Sequence, residues 1–245
     1  NNRGVIVFLH GGLENPAFAE GIPNELDFVL EKNQALVPFS LEAGFDLLIP
    51  IYSGKINWLD EPQAFHDLLF DLLMTKGLQY EEIYIAGFSD GGTASFQIFH
   101  QNSESYEGLI VISGYPQLRN YAETVDRSLI QEQKILFFGA KNDKTIPYEF
   151  LLAEYCEQRK SNPNTYLYVA DGGHSLGDYE EKDIKELFDI LTRSSNSQPS
   201  DTHGYIKNDR LIRFYEFRKS TLKKYGFGEE YFLENQEQQK AYKWL

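Results

Sequence analysis

Six short apolar runs recur along this chain, each separated from the next by a longer stretch of polar and helix-spaced residues. They read VIVFLH (5–10), FDLLIPIY (45–52), EIYIAGF (82–88), GLIVISG (108–114), KILFFGA (134–140) and TYLYVA (165–170). Runs that are β-branched, aromatic or aliphatic on both faces need cover on both faces. Strands of that kind, alternating with helices, build a mostly parallel sheet between two helical layers. Helical spacing fills the gap after the first run, then 60–77, about 90–101, near 119–131, 147–160 and 180–193. In the helix over 60–77, Pro62 suits the first turn and Gly77 the end. The expected fold class is therefore α/β, with three layers and a sheet of about six or more strands.

SSNSQPSDTHG (194–204) is the clearest linker, so the reading divides the chain into a domain over 1–193, this linker, and an extension over 205–245. The extension has helical spacing and ten aromatic residues, too many to leave in water. It is expected to pack on the domain or on a second copy of the chain, as a homodimer. Charge divides the same way. Residues 1–204 carry a net −17 and residues 205–245 a net +3, within a total of −14. An acidic body repels nucleic acid and anionic membrane at long range, so neither is an expected partner, and the basic extension is expected to dock on that body.

No apolar run approaches the roughly 18 to 20 residues that cross a bilayer. The first run lacks the features of a signal peptide, which makes a cytoplasmic location the expectation. A single cysteine, Cys156, leaves no intramolecular disulfide and no thiolate cluster. Its place in EFLLAEYCEQRK predicts a packing role. Neither a metal nor an organic cofactor is expected.

The third run leads directly into GFSDGG, a G-x-S-x-G pattern between a predicted strand and a predicted helix. A serine there must sit in a sharp, strained turn, so Gly87 and Gly91 must lack side chains that would strike strand or helix. Ser89 would then be exposed at the carboxyl edge of the sheet, where open α/β folds bind ligands. Its hydroxyl needs a base. His174, in VADGGHSLGDY after the last strand, is the candidate; His10, His66, His100 and His203 read as surface residues. The base needs an acid to fix its tautomer. Asp143, in GAKNDKTIP after the fifth strand, is preferred over Asp171, which lies close enough to His174 in sequence to be shaping its own loop.

The order Ser89, Asp143, His174, each after a successive strand, resembles the α/β-hydrolase family over roughly residues 4–193. Within it, GFSDGG and GAKNDKTIP look most like the compact serine esterases, the phospholipase/carboxylesterase and dienelactone-hydrolase-like group. The resemblance implies a three-layer α/β-hydrolase fold and cleavage of small-molecule carboxylic esters through an acyl-enzyme. Thioesterases and small peptidases share this machinery, and a non-catalytic interaction protein on the same fold is the alternative from another class. HGG (10–12) follows the first strand as the family's oxyanion loop does. That implies the amide of Gly12, or of its neighbour Leu13, and that of Asp90 as the two donors.

Two departures stand out. The family's first two strands have no counterpart before VIVFLH, and Asp90 sets a carboxylate beside the nucleophile. The dipole of the following helix favours an acidic residue there by roughly 0.3–1 kcal/mol, and its side chain is expected to point away from the pocket. Tyr52 and Trp58, and by similar reasoning Tyr115, are candidates to line an apolar acyl or aryl pocket, with core packing as the equal alternative. No long lid insertion is evident, so interfacial activation is not expected.

Overall fold

Each of the six apolar runs forms a strand, and their order in space decides where chemistry can occur. The computed structural model describes residues 3–12, 29, 33–51, 58–116 and 126–192. Among these, the strands are β1 (Gly4–Leu9), β2 (Phe45–Leu48), β3 (Glu82–Phe88), β4 (Gly108–Ile112), β5 (Lys134–Ala140) and β6 (Thr165–Ala170). The helices are α1 (Val37–Glu42), α2 (Pro62–Thr75), α3 (Asp90–Gln101), α4 (Glu149–Gln158) and α5 (Glu181–Thr192). The strands pair in the order β2-β1-β3-β4-β5-β6, and every ladder is parallel.

A parallel ladder brings all carboxyl ends to one edge. Here they are nearly level: Leu9 pairs with Gly87, Phe88 with Ile112, and Ala140 with Ala170. The chain runs from β1 outward to β2, then crosses back to β3 and continues the other way. The switch point lies between the carboxyl ends of β1 and β3, the crevice where open α/β sheets bind ligands.

The three layers follow from period-two side-chain alternation. Val7, Leu9, Ile85, Leu109, Val111, Ile135, Phe137, Leu167 and Val169 face α2, α3 and α4, packing with Phe65, Leu69, Phe96, Phe99, Leu151 and Cys156. Their neighbours Ile6, Phe8, Tyr84, Ile110, Ile112, Leu136, Phe138 and Tyr168 face the other way, onto Leu36, Ile184, Leu187, Phe188 and Leu191. Cys156 is fully buried in the first of these cores.

Several elements differ from the sequence reading. The second strand stops at Leu48, ahead of Pro50, which brings no N–H to a ladder. The fourth ends at Ile112 because Ser113 turns out of the strand at φ 43°. Within the helix read near 119–131, Arg127–Leu129 is instead a single 3₁₀ turn, capped by Asp126 accepting from the Ser128 amide. His10 and His66 are buried rather than on the surface. His66 Nδ1 lies 2.9 Å from the Tyr106 hydroxyl, and the His10 ring stands edge-on to Trp58. Burial pushes both imidazoles below their usual pKa. His100 is half-buried, its Nδ1–H donating to the Phe96 carbonyl at 2.8 Å. The linker, the extension with its homodimer reading, and His203 lie outside the described residues. No described helix is long and apolar enough to cross a membrane.

Candidate active site

Ser89 is the only residue between β3 and α3, and its backbone takes φ 56°, ψ −120°. A non-glycine residue in that region costs on the order of 1–3 kcal/mol and persists only where its surroundings over-determine it. Here the Ser89 amide donates to the Ile112 carbonyl at 3.0 Å, and the Ser89 carbonyl accepts from the Thr93 amide at 3.0 Å. Gly87 and Gly91 make the turn sterically feasible. A methyl at 91 would overlap the Leu9 carbonyl, and one at 87 would overlap the Gly91 carbonyl.

His174 sits four residues past β6 and reaches the same edge, with Nε2 3.0 Å from Ser89 Oγ. Its Nδ1 is 2.7 Å from Asp143 Oδ2. A carboxylate only accepts, so Nδ1 carries the proton and Nε2 is left to accept from the serine hydroxyl. The Phe88 ring flanks the imidazole at 5.0 Å between centroids. Asp171, the rival acid, instead pairs with Lys141 at 2.7 Å on the surface.

Asp143 is 5% exposed, and its other oxygen accepts the Thr145 and Ile146 amides at 2.9 and 2.8 Å. Burial pushes its carboxyl upward. The bonds from His174, Ile146 and Ser113 outweigh that and hold it below the usual aspartate value. A depressed native value stabilises the fold fully above the unfolded one, about 3.9, and the contribution is lost as pH falls through the native value. In thermal melts, the stability gap between wild type and Asp143→Asn is expected to shrink below about pH 4. A gap that stays constant down to strongly acid pH would contradict this.

Sequence reasoning missed Ser113 and Tyr179. Ser113 is fully buried, its hydroxyl 2.9 Å from the Tyr179 hydroxyl, and it helps hold the Asp143 carboxyl down. The Tyr179 ring is braced edge-on by Phe138 at 4.9 Å. The available signal was a short polar residue, Ser113, directly after an apolar strand at the carboxyl edge. Nothing in the sequence marks Tyr179.

The HGG loop abuts the elbow, since a side chain at Gly11 would strike Ser89. The Asp90 amide belongs to the first turn of α3, where backbone donors lack intrahelical partners. The Asp90 carboxylate does not point away as expected. Its Oδ2 accepts the Gly12 amide at 3.1 Å. Adjacent pairing of β1 and β3 brings that amide beside the start of α3, within reach of the carboxylate across the crevice.

Among the pocket candidates, Trp58 is 2% exposed and packs its ring between His10 and Phe65, so it belongs to the core. Tyr115 is partly buried, with its amide donating to Thr93 Oγ1 and its ring 4.4 Å from Phe150. Leu13 and Tyr52 lie outside the described residues. A separate groove of about 560 Å³ runs along the outer strand, lined by Val5, Val37, Leu48, Leu73 and Tyr80 among others, and none of the site residues lines it.

No protein-family model matches the chain, and no curated protein matches it. Solved structures do. An esterase of Pyrococcus furiosus, Pf2001, superposes with a TM-score of 0.60 at 16% identity, covering 80% of this chain and 85% of its own. Est1E from Butyrivibrio proteoclasticus gives 0.53 at 17%, covering 78% and 90%. A structure described as a predicted CIB-like hydrolase of Thermoplasma acidophilum gives 0.52 at 17%, covering 78% and 87%. With a parallel six-stranded sheet between helical layers and these neighbours, the chain has the α/β-hydrolase fold.

Proposed function

We propose that this protein is a serine hydrolase that cleaves small-molecule carboxylic esters through an acyl-enzyme. The observation that carries the reading is the unbroken hydrogen-bond chain from Asp143 through His174 to Ser89. One structural neighbour, Pf2001, bears the name esterase, which supports the choice of ester over other acyl compounds.

In this reading, Ser89 Oγ attacks the ester carbonyl carbon while its proton passes to His174 Nε2. The buried Asp143 carboxylate steadies the imidazolium that forms. Negative charge on the carbonyl oxygen is met by backbone amides, with those of Asp90 and Gly12 as the candidate pair. Collapse of the tetrahedral intermediate expels the alcohol, which takes the proton from His174. Water then repeats the sequence on the acyl-enzyme, with His174 as base, and releases the acid. The strain at Ser89 serves this by keeping the hydroxyl projected towards substrate rather than folded into the first turn of α3.

Treatment with a fluorophosphonate probe and intact-mass measurement tests the assignment. One adduct is expected on the wild-type chain and none on Ser89→Ala. An unmodified wild type, or an adduct that survives the substitution, would rule the reading out.

A further inference from the structure

The serine-hydrolase reading takes the Gly12 amide as a candidate oxyanion donor, yet a carboxylate of the same chain already holds it. Asp90 Oδ2 accepts that amide at 3.1 Å, from the residue directly after the nucleophile. An amide has one proton to give. A developing oxyanion must displace the carboxylate or share the donor with it, at the distance where like charges repel most. The displaced carboxylate stays tethered by its backbone to the first turn of α3, beside Ser89. Charge on the acyl part of a substrate is therefore felt at the point where the tetrahedral intermediate forms.

Resting on the hydrolase reading, we propose that Asp90 is a specificity-determining residue. It closes the oxyanion donor against anionic acyl groups and admits esters whose acyl part is neutral or, preferentially, cationic. A cationic acyl group pairs with the carboxylate as it leaves Gly12, so binding energy offsets the lost hydrogen bond. An anionic acyl group meets the same carboxylate as a like charge. The acidic body of the domain, net −17 over residues 1–204, acts in the same direction at longer range. It does so without the steep dependence on position 90 that the contact implies.

The test compares three p-nitrophenyl esters of similar acyl length: butyrate, the glutarate monoanion and 4-(trimethylammonio)butyrate. Wild type is expected to rank them cationic, neutral, anionic by kcat/KM. In Asp90→Asn the cationic-to-anionic ratio is expected to fall at least about tenfold, the scale of a charged hydrogen bond, while the neutral ester gains severalfold. Asp90→Ser, whose hydroxyl suits a helix start, gives the same readout if the amide variant folds poorly. Raising salt from about 0.02 to 0.5 M should compress the ratio in wild type far more than in either variant. A ratio that is the same within twofold in wild type and both variants, all of them labelled by fluorophosphonate, overturns the proposal and leaves the hydrolase reading intact. A wild type that fails to label overturns both.

Discussion

Asp143→Asn is expected to lower kcat about 10⁴-fold while leaving KM nearly unchanged. The reason is the proton on His174. In the structure Nδ1 faces a carboxylate that can only accept, so the proton resides there and Nε2 can take the proton of Ser89. An asparagine can turn its NH₂ towards Nδ1 and so favour the opposite tautomer, in which Nε2 already carries the hydrogen it must accept. Asp171→Asn is expected to stay within about twofold, because that side chain is exposed and paired with Lys141, a surface contact of little energetic weight. Steady-state kinetics on a p-nitrophenyl ester decide the matter. A large loss in Asp171→Asn with a small one in Asp143→Asn would reverse the assignment.

Gly91→Ala is expected to damage the site nearly as badly while touching no reacting atom. The added methyl would overlap the Leu9 carbonyl and crowd that of His10. Both obstacles are backbone at and just past the end of β1, so α3 must move instead. Overpacking of this kind costs about 1–3 kcal/mol of stability, and a displacement of about 1 Å at the nucleophile costs roughly 100-fold in rate. The expected result is a melting temperature several degrees lower, with kcat/KM reduced about 100-fold in the protein that remains folded. Near-normal activity with a lowered melting temperature would show that the elbow does not depend on this contact.

Much of the fold was legible because its signals are local. Apolar runs such as KILFFGA and TYLYVA have the length and composition of doubly covered strands, and their limits, 134–140 and 165–170, match the observed ones. FDLLIPIY was read too long because apolar composition continues past Pro50 although the ladder does not. His10 and His66 were misjudged for a different reason. A histidine's burial depends on what lies opposite it, and Trp58 and Tyr106 are distant in sequence. Ser113 and Tyr179, 66 residues apart, meet only because β4 and the segment after β6 end at the same edge of the sheet.

By itself, the sequence determined a parallel α/β sheet and a serine constrained by Gly87 and Gly91. It also determined which edge would carry Asp143 and His174, since each follows a strand of the same direction. Patterning of neighbours along the chain suffices for those conclusions. Tertiary structure supplied the hydrogen bonds themselves: Asp143, already preferred from sequence over Asp171, on His174; the Ser113–Tyr179 pair; and the Asp90 carboxylate on Gly12. Each depends on the distance between groups 31 to 78 positions apart. That distance is set by how strands pair and not by what any one strand contains.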